Sequence, residues 1–196
     1  MTTPLLTPTR PSPPTSPTGP TVPTGPAEIT PLDVTMLADI VAGLAAAEPL
    51  WRPHVTHDAE ERTRLRLLAT PAYEVWLLGW APGQSVGLHD HGDANGAFVV
   101  VDGRLVESTL TSAGIVTEPL DAGGVGRIPS GSVHDVANRS RRLATSIHAY
   151  SRPLTAMGFY GADGSLVRTE AVHEQSALVS SSEVSRALHP AWSPRP

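Results

Sequence analysis

The chain has 196 residues, a length typical of one domain. It contains no Cys and no Lys, which excludes disulfides, thiolate metal sites, cysteine nucleophiles and Schiff-base chemistry on a lysine. The formal net charge is -5, so nonspecific nucleic-acid binding has no electrostatic basis, and no apolar run is long enough to span a membrane. The absence of Cys is consistent with a cytoplasmic protein, and we expect a monomer.

Both ends of the chain have the composition of segments that do not fold. The first 26 residues hold nine Pro and eight Thr, which predicts disorder over residues 1–28 because such a segment buries too little apolar surface. Ser and Pro are again frequent from residue 180 onward, and we expect residues 181–196 to be frayed. The ordered domain is therefore predicted to span residues 29–180.

A helix is predicted at the start of this domain. Thr30 has the character of an N-cap, Pro31 suits the first helical position, and Asp33 lies three residues after the cap. Apolar residues at helical spacing follow, and the helix is expected to end near Glu48-Pro49.

The rest of the domain has the pattern of short strands. Five segments rich in Val, Leu, Trp, Phe and Tyr are bounded by turn residues, at 62–68, 72–80, 96–102, 104–110 and 143–150. The Asp102-Gly103 pair between two of them indicates a hairpin. Many short strands at close spacing predict a mostly β protein, a sandwich or barrel, with an N-terminal helical layer.

Three histidines are candidate metal ligands. His89 and His91 are two residues apart, so a strand would project both imidazoles to one face, and His134 from a neighbouring strand can complete the set. Imidazole suits Fe, Zn, Cu and Ni alike, so the ligand type does not choose the metal. The alternative is that the first two are surface residues of a loop beside Asp90 and Asp93.

With their neighbours, these histidines resemble the two motifs of the cupin superfamily. Ten positions carry the resemblance: Gly83, His89, His91, Gly96, Gly103, Gly123, Pro129, Gly131, His134 and Asn138. The resemblance implies a cupin fold, which is an antiparallel β-barrel or jelly roll. Gly96 stands where the first motif usually carries Glu, so the implied site has three neutral ligands and favours an anionic bidentate substrate such as a thiolate.

One predicted strand carries three polar side chains at alternate positions. Ser146, His148 and Tyr150 would share one face of the strand, and facing inward they could satisfy one another as a hydrogen-bonded relay. If they faced outward, Ile147 and Ala149 would lie in the core instead. The pattern by itself leaves both orientations open.

A narrower resemblance covers about residues 62–169. The segments at 74–80, 89–92, 145–151 and 154–157 resemble those of bacterial thiol dioxygenases, the cysteine dioxygenase type I family in particular. The resemblance implies one Fe(II) per chain, with a small thiol and O2 as substrates, and oxidation of L-cysteine to cysteine sulfinate. The alternatives are another small thiol such as 3-mercaptopropionate, or a non-catalytic metal-binding cupin that acts as a sensor.

The same resemblance implies a role for each site residue. The metal ligands would be His89, His91 and His134. Tyr150 would donate a hydrogen bond to bound substrate or oxygen, with His148 and Ser146 fixing its position. Animal members carry a Cys at the position of Gly96, which cross-links to the tyrosine, whereas bacterial members commonly have Gly.

The arginine that holds the substrate carboxylate in this family falls on Arg66. A guanidinium suits a carboxylate because its planar fork donates two parallel hydrogen bonds. Arg62 and Arg64 share its face of the strand, while Leu65 and Leu67 share the other. The resemblance implies that the leucines pack under the N-terminal helix and that Arg66 points into the barrel. The alternative is a solvated, charged face.

The family usually has two prolines after its tyrosine-serine pair, the first preceded by a cis bond. Here Arg152 replaces the first proline and Pro153 remains. The sequence does not decide whether the cis bond is kept.

Overall fold

The computed structural model of the chain describes residues 30–172. The segments predicted to be disordered, 1–28, and frayed, 181–196, lie outside the described residues. Two short 3-10 turns, Glu48–Leu50 and Arg52–His54, follow the helix. Within the described range the elements are α1 (Val34–Ala46), β1 (Thr63–Ala69), β2 (Glu74–Trp80), β3 (Asn95–Asp102), β4 (Arg104–Thr111), β5 (Gly114–Asp121), β6 (Val125–Ile128), β7 (His134–Ala137), β8 (Ala144–Ser151), β9 (Ala156–Tyr160) and β10 (Leu166–Ala171).

The strands form two antiparallel layers that face each other. The larger sheet has the order β1-β2-β8-β3-β6, and the opposing layer consists of β5-β4-β7 and the β9-β10 hairpin. His89 bridges these last two groups, because it pairs with His134 of β7 on one side and with Phe159 of β9 on the other. The prediction of a mostly β, antiparallel cupin fold with an N-terminal helical layer is confirmed.

Two apolar clusters lie on opposite faces of the larger sheet. On the outer face, Leu37 and Val41 of α1 pack with Leu67 and Ile147, and Leu65 lies against the same cluster. The inner cluster fills the space between the two layers and includes Trp76, Trp80, Phe98, Leu105 and Val136. Side chains alternate along a strand, so the residues between the outward leucines of β1 face the barrel interior.

Helix α1 begins three residues later than the sequence predicts. Asp33, not Thr30, is the N-cap, and its carboxylate accepts hydrogen bonds from the second and third backbone N–H groups after it, at 2.8 and 2.9 Å. The preceding Leu32 is held by the larger sheet, because its N–H donates to Ser151 Oγ at 2.9 Å and its carbonyl accepts from Asn95 Nδ2 at 3.0 Å. Leu32 is therefore hydrogen-bonded to the sheet and does not join the helix.

The five predicted strands correspond to β1, β2, β3, β4 and β8, each within two residues at both ends. The hairpin between β3 and β4 is also present, and Gly103 turns it with a φ of 74°. The helix ends at Ala46, before the predicted Glu48. Strands β6 and β7 have four residues each, too few for alternation to show, and nearly all of β5 and β10 is exposed.

Beyond β8, the peptide bond between Ser151 and Arg152 is cis. It lies where the family resemblance has its cis bond, with Arg152 in the place of the proline. Among residues 30–172, no single helix has the length and apolar character to cross a membrane; α1 and the short helical segment after it pass that test only as a pair bent by 87°.

Candidate active site

Three histidines come together in the opposing layer. His89 and His134 exchange backbone hydrogen bonds of 2.8 and 2.9 Å, which places their imidazoles side by side on the inner face. His91 lies two residues after His89 and returns to the same side. One ring nitrogen from each of the three lies within 4.8 Å of the others, and all three side chains are buried.

The hydrogen bonds of these imidazoles fix which nitrogen is free. His89 Nδ1–H donates to the carbonyl of Gly87 at 2.8 Å, and His134 Nδ1–H donates to Glu107 Oε1 at 2.7 Å. Each ring therefore keeps its Nε2 lone pair. His134 Nε2 and both ring nitrogens of His91 are buried without a hydrogen-bond partner among the described residues. Buried polar atoms without partners are rare, so this donor set fits a metal ion bound by three imidazoles.

Burial also keeps the imidazoles of His89 and His91 neutral, the form in which they bind metal. Burial, together with a smaller effect of the neighbouring His134, lowers the pKa of His89 to about 3. Burial likewise holds the pKa of His91 well below its usual value, with the other two histidines contributing. At neutral pH the lone pairs are therefore available to a cation.

A chain of hydrogen bonds runs along the inner face of β8. Trp80 Nε1–H donates to Ser146 Oγ at 2.8 Å, Ser146 Oγ lies 2.8 Å from His148 Nε2, and His148 Nδ1 lies 3.1 Å from Tyr150 Oη. Because an indole only donates, Ser146 accepts from Trp80 and keeps its own proton available to His148 Nε2. In the tautomer that accepts this proton, His148 donates from Nδ1 to Tyr150, and the phenol proton is free to point into the cavity.

The phenol at the end of this chain lies against the metal site. The rings of Tyr150 and His91 have centroids 4.6 Å apart. Burial raises the pKa of Tyr150 and lowers the pKa of His148 well below its usual value, so both side chains are neutral. A Cβ added at Gly96 would lie 3.1 Å from the Tyr150 ring, which is a strained contact. Glycine at this position therefore lets the ring keep its place.

His89, His134 and the phenol of Tyr150 open into one cavity of about 460 Å³. Its walls mix apolar and polar side chains, and two arginines, Arg62 just before β1 and Arg64 on β1, also reach it. Among its lining residues are Arg62, Arg64, Trp80, His148, Met157 and Phe159. Such a volume is at the small end of ligand sites, as expected for a small substrate.

Arg62, and not Arg66, is the guanidinium that the structure brings to the histidines. The Nε and Nη1 atoms of Arg62 are buried without a hydrogen-bond partner among the described residues, and its guanidinium carbon lies 4.8 Å from the centre of the Trp80 ring. Burial lowers the pKa of Arg62. This guanidinium is therefore desolvated, and its Nε–H and Nη1–H groups are available to a ligand in the cavity.

Arg66 points to a different part of the barrel. It is absent from the described lining of the cavity, and its Nη1 lies 3.4 Å from Oε2 of the buried Glu74. A buried carboxylate needs a cation or several donors, and Glu74 attracts the arginine nearest to it along β1. The sequence prediction that Arg66 contacts the substrate is therefore not what this geometry favours.

Comparison with known proteins gives one family model and several solved structures that resemble this chain. The family model described as cysteine dioxygenase type I matches residues 28–162. Similar solved structures include a protein from Thermus thermophilus, at 19% identity and a TM-score of 0.48, covering 52% of this chain and 93% of that one. A double-stranded β-helix protein from Klebsiella pneumoniae has 16% identity and a TM-score of 0.47, covering 63% and 94%. A cupin superfamily protein from Desulfitobacterium hafniense has 13% identity and a TM-score of 0.46, covering 52% and 87%.

Proposed function

This chain belongs to the cysteine dioxygenase type I family, and from that premise we propose that it oxidises L-cysteine to cysteine sulfinate with O2. Both oxygen atoms end on sulfur: R–SH and O2 give R–SO2H, so the thiol sulfur loses the four electrons that O2 accepts. Fe(II) held by His89, His91 and His134 would supply the redox chemistry and a site where thiolate and O2 meet. The proposal depends on one observation: the free Nε2 of His134, the Arg62 guanidinium with N–H groups that have no partner among the described residues, and a neutral phenol share one cavity.

We assign recognition of the substrate carboxylate to Arg62. Its buried Nε and Nη1 atoms keep N–H groups without a hydrogen-bond partner among the described residues, so a carboxylate in the cavity would find charge-assisted donors there. A carboxylate would also remove the cost of a desolvated cation, so binding stabilises both partners. Holding the acid at one end and the sulfur at the histidines fixes the orientation of the thiol, which lowers the entropic part of the barrier.

Tyr150 is the proton-bearing group at the reacting atoms. His148 occupies one lone pair of its oxygen, so the phenol proton has no acceptor on β8 and is directed into the cavity. Ser146 and Trp80 hold His148 in the tautomer that donates to the phenol. Together, Trp80, Ser146 and His148 keep the hydrogen bond of Tyr150 aimed at one point.

The experiment is oxygen uptake by anaerobically purified, Fe(II)-reconstituted protein with L-cysteine, 3-mercaptopropionate and cysteamine. We expect uptake with cysteine and a product 32 mass units heavier than the thiol, as addition of two oxygen atoms requires. Faster turnover of 3-mercaptopropionate would keep the reaction class and change the substrate. Uptake no greater than that of iron-loaded His134→Ala with all three thiols would overturn the proposal.

A further inference from the structure

The candidate metal ligands differ in the group that accepts a hydrogen bond from their Nδ1–H. His89 donates its Nδ1–H to the neutral carbonyl of Gly87, whereas His134 donates to the carboxylate of Glu107 at 2.7 Å. Glu107 lies on β4, and its side chain is 12% exposed, against 2% for His134. An acid this buried requires a partner, and the imidazole is the one hydrogen-bond partner of its carboxylate among the described residues.

The position of Glu107 on β4 is an inward one. It lies two residues after Leu105, which is fully buried between the two layers, so both side chains share the inner face. On β5, Glu118 is its register partner, yet that acid is exposed and makes no ion pair among the described residues. Glu107 and Glu118, which are register partners on neighbouring strands, therefore have different surroundings. Of the two, only Glu107 contacts a candidate metal ligand.

We propose that Glu107 is a positioning residue that supplies, through His134, the negative charge that this metal site lacks among its direct ligands. The cupin position that usually provides a carboxylate is Gly96, so the three imidazoles by themselves carry no charge. A carboxylate bound to Nδ1–H fixes the ring orientation and makes Nε2 a stronger donor to a cation. The inference rests on the metal centre of the proposed function and not on the oxidation of a thiol.

The test is the affinity of metal-free protein for Co²⁺, measured by isothermal titration calorimetry without thiol or O2. Glu107→Gln keeps the shape of the side chain and an oxygen that can accept from Nδ1–H, so it removes only the charge. We expect it to weaken Co²⁺ binding about tenfold or more, and Glu107→Ala to weaken it further, within the 10- to 100-fold range of such outer-shell contacts. Glu118→Gln is the matched control and should leave the affinity unchanged.

Unaltered Co²⁺ affinity in Glu107→Gln would overturn the proposal, since the charge would then have no effect on the metal. Glu107→Asp covers the case in which the other variants fail to fold, because it keeps the charge and withdraws it from His134; affinity equal to that of the parent would again overturn the proposal. The visible absorption of bound Co²⁺ reports a changed ligand geometry independently. Weaker binding in a protein that oxidises no thiol would leave this inference standing and remove only the proposed function.

Discussion

The ring of Phe98 is stacked on the imidazole of His148, with centroids 4.9 Å apart and planes 12° apart. Phe98 lies on β3 and is paired in register with His148 on β8, so the contact follows from the strand pairing. Behind Phe98, Gly126 of β6 leaves space that a side chain would fill. His148 is therefore held by a ring on one face and by hydrogen bonds at both nitrogens, which fixes the direction of the donor aimed at Tyr150.

We expect Tyr150→Phe to keep bound iron and to lose about 10- to 100-fold in the rate of thiol oxidation, because the phenol is not a metal ligand but orients the reacting atoms. His148→Gln should reduce the rate less, since the phenol remains. Tyr73→Phe, a change in the outer cluster, is the matched control. Oxygen uptake on iron-matched samples measures the effect, and a parental rate in Tyr150→Phe would remove this residue from the mechanism.

Substitutions of Arg62 and Arg66 should have different effects on the turnover of thiols with and without a carboxylate. Arg62→Gln removes a charge-assisted hydrogen bond worth about 1.5–3 kcal/mol, so we expect kcat/KM for cysteine to fall about 10- to 100-fold, with a much smaller change for cysteamine, which has no carboxylate. Arg66→Gln should leave the ratio of the two thiols unchanged. It should instead lower the free energy of unfolding by about 3 kcal/mol, because Glu74 loses a buried partner.

Steady-state oxygen uptake and urea unfolding of both variants provide these measurements. Equal losses for cysteine and cysteamine in Arg62→Gln would show that this arginine does not contact the carboxylate. A selective loss for cysteine in Arg66→Gln would restore the role that the sequence resemblance implies.

The meeting of the three histidines could be predicted from the sequence, whereas the different surroundings of Arg62 and Arg66 could not. His89 and His91 are one strand repeat apart, and their cupin spacing to His134 is a local pattern that the fold preserves. Arg62 and Arg66 share one strand face, so periodicity treats them alike. The structure separates them by their position along the barrel, since one lies beside Trp80 and the other beside a buried acid.

Two further contacts of the site carry no sequence signal at all. Glu107 reaches His134 across 27 residues of chain, and Trp80 reaches Ser146 across 66. Each is created by strand pairing in the folded barrel, so neither residue stands in a motif with its partner. Glu107 also lies on a strand that alternation does predict, but the pattern does not say which inward residue meets a metal ligand.

The metal-free protein should lose stability as the pH falls. Burial lowers the pKa of His89, His91 and His148 in the folded state, so below about pH 6.5 the unfolded chain binds protons that the folded protein excludes. The contribution of these neutral imidazoles to the free energy of unfolding is complete above that pH, and it is lost as the pH falls toward their pKa values in the folded protein. Each of the three histidines lowers the free energy of unfolding by up to about 1.4 kcal/mol per pH unit, and together they lower it by up to about 4 kcal/mol per pH unit.

Urea unfolding of chelator-treated protein at pH 7.5 and 5.5 measures this loss. His148→Gln should reduce the slope by about a third, because one of the three shifted groups is removed. Bound metal should raise the stability at both pH values without flattening the profile, since it keeps His89 and His91 deprotonated in the folded protein. Equal stability of the metal-free protein at the two pH values would contradict the buried, neutral state of these rings.

The last prediction concerns the space behind Phe98. A Cβ at position 126 would lie 2.6 Å from Phe98 Cζ, and the ring cannot retreat because its other face meets His148. We expect Gly126→Ala to cost about 2 kcal/mol of unfolding free energy, as overpacking of a filled core does. The rate of thiol oxidation should also fall while iron is retained, since the displaced ring pushes on His148.

Gly43→Ala is the control: it has no neighbour within 4 Å on α1 and should stabilise the protein by about 0.5–1 kcal/mol. Adding Phe98→Leu to Gly126→Ala should recover part of the lost stability in urea unfolding, because the smaller side chain leaves room for the methyl group. Additive losses in that double variant would mean that the two positions do not compete for the same space.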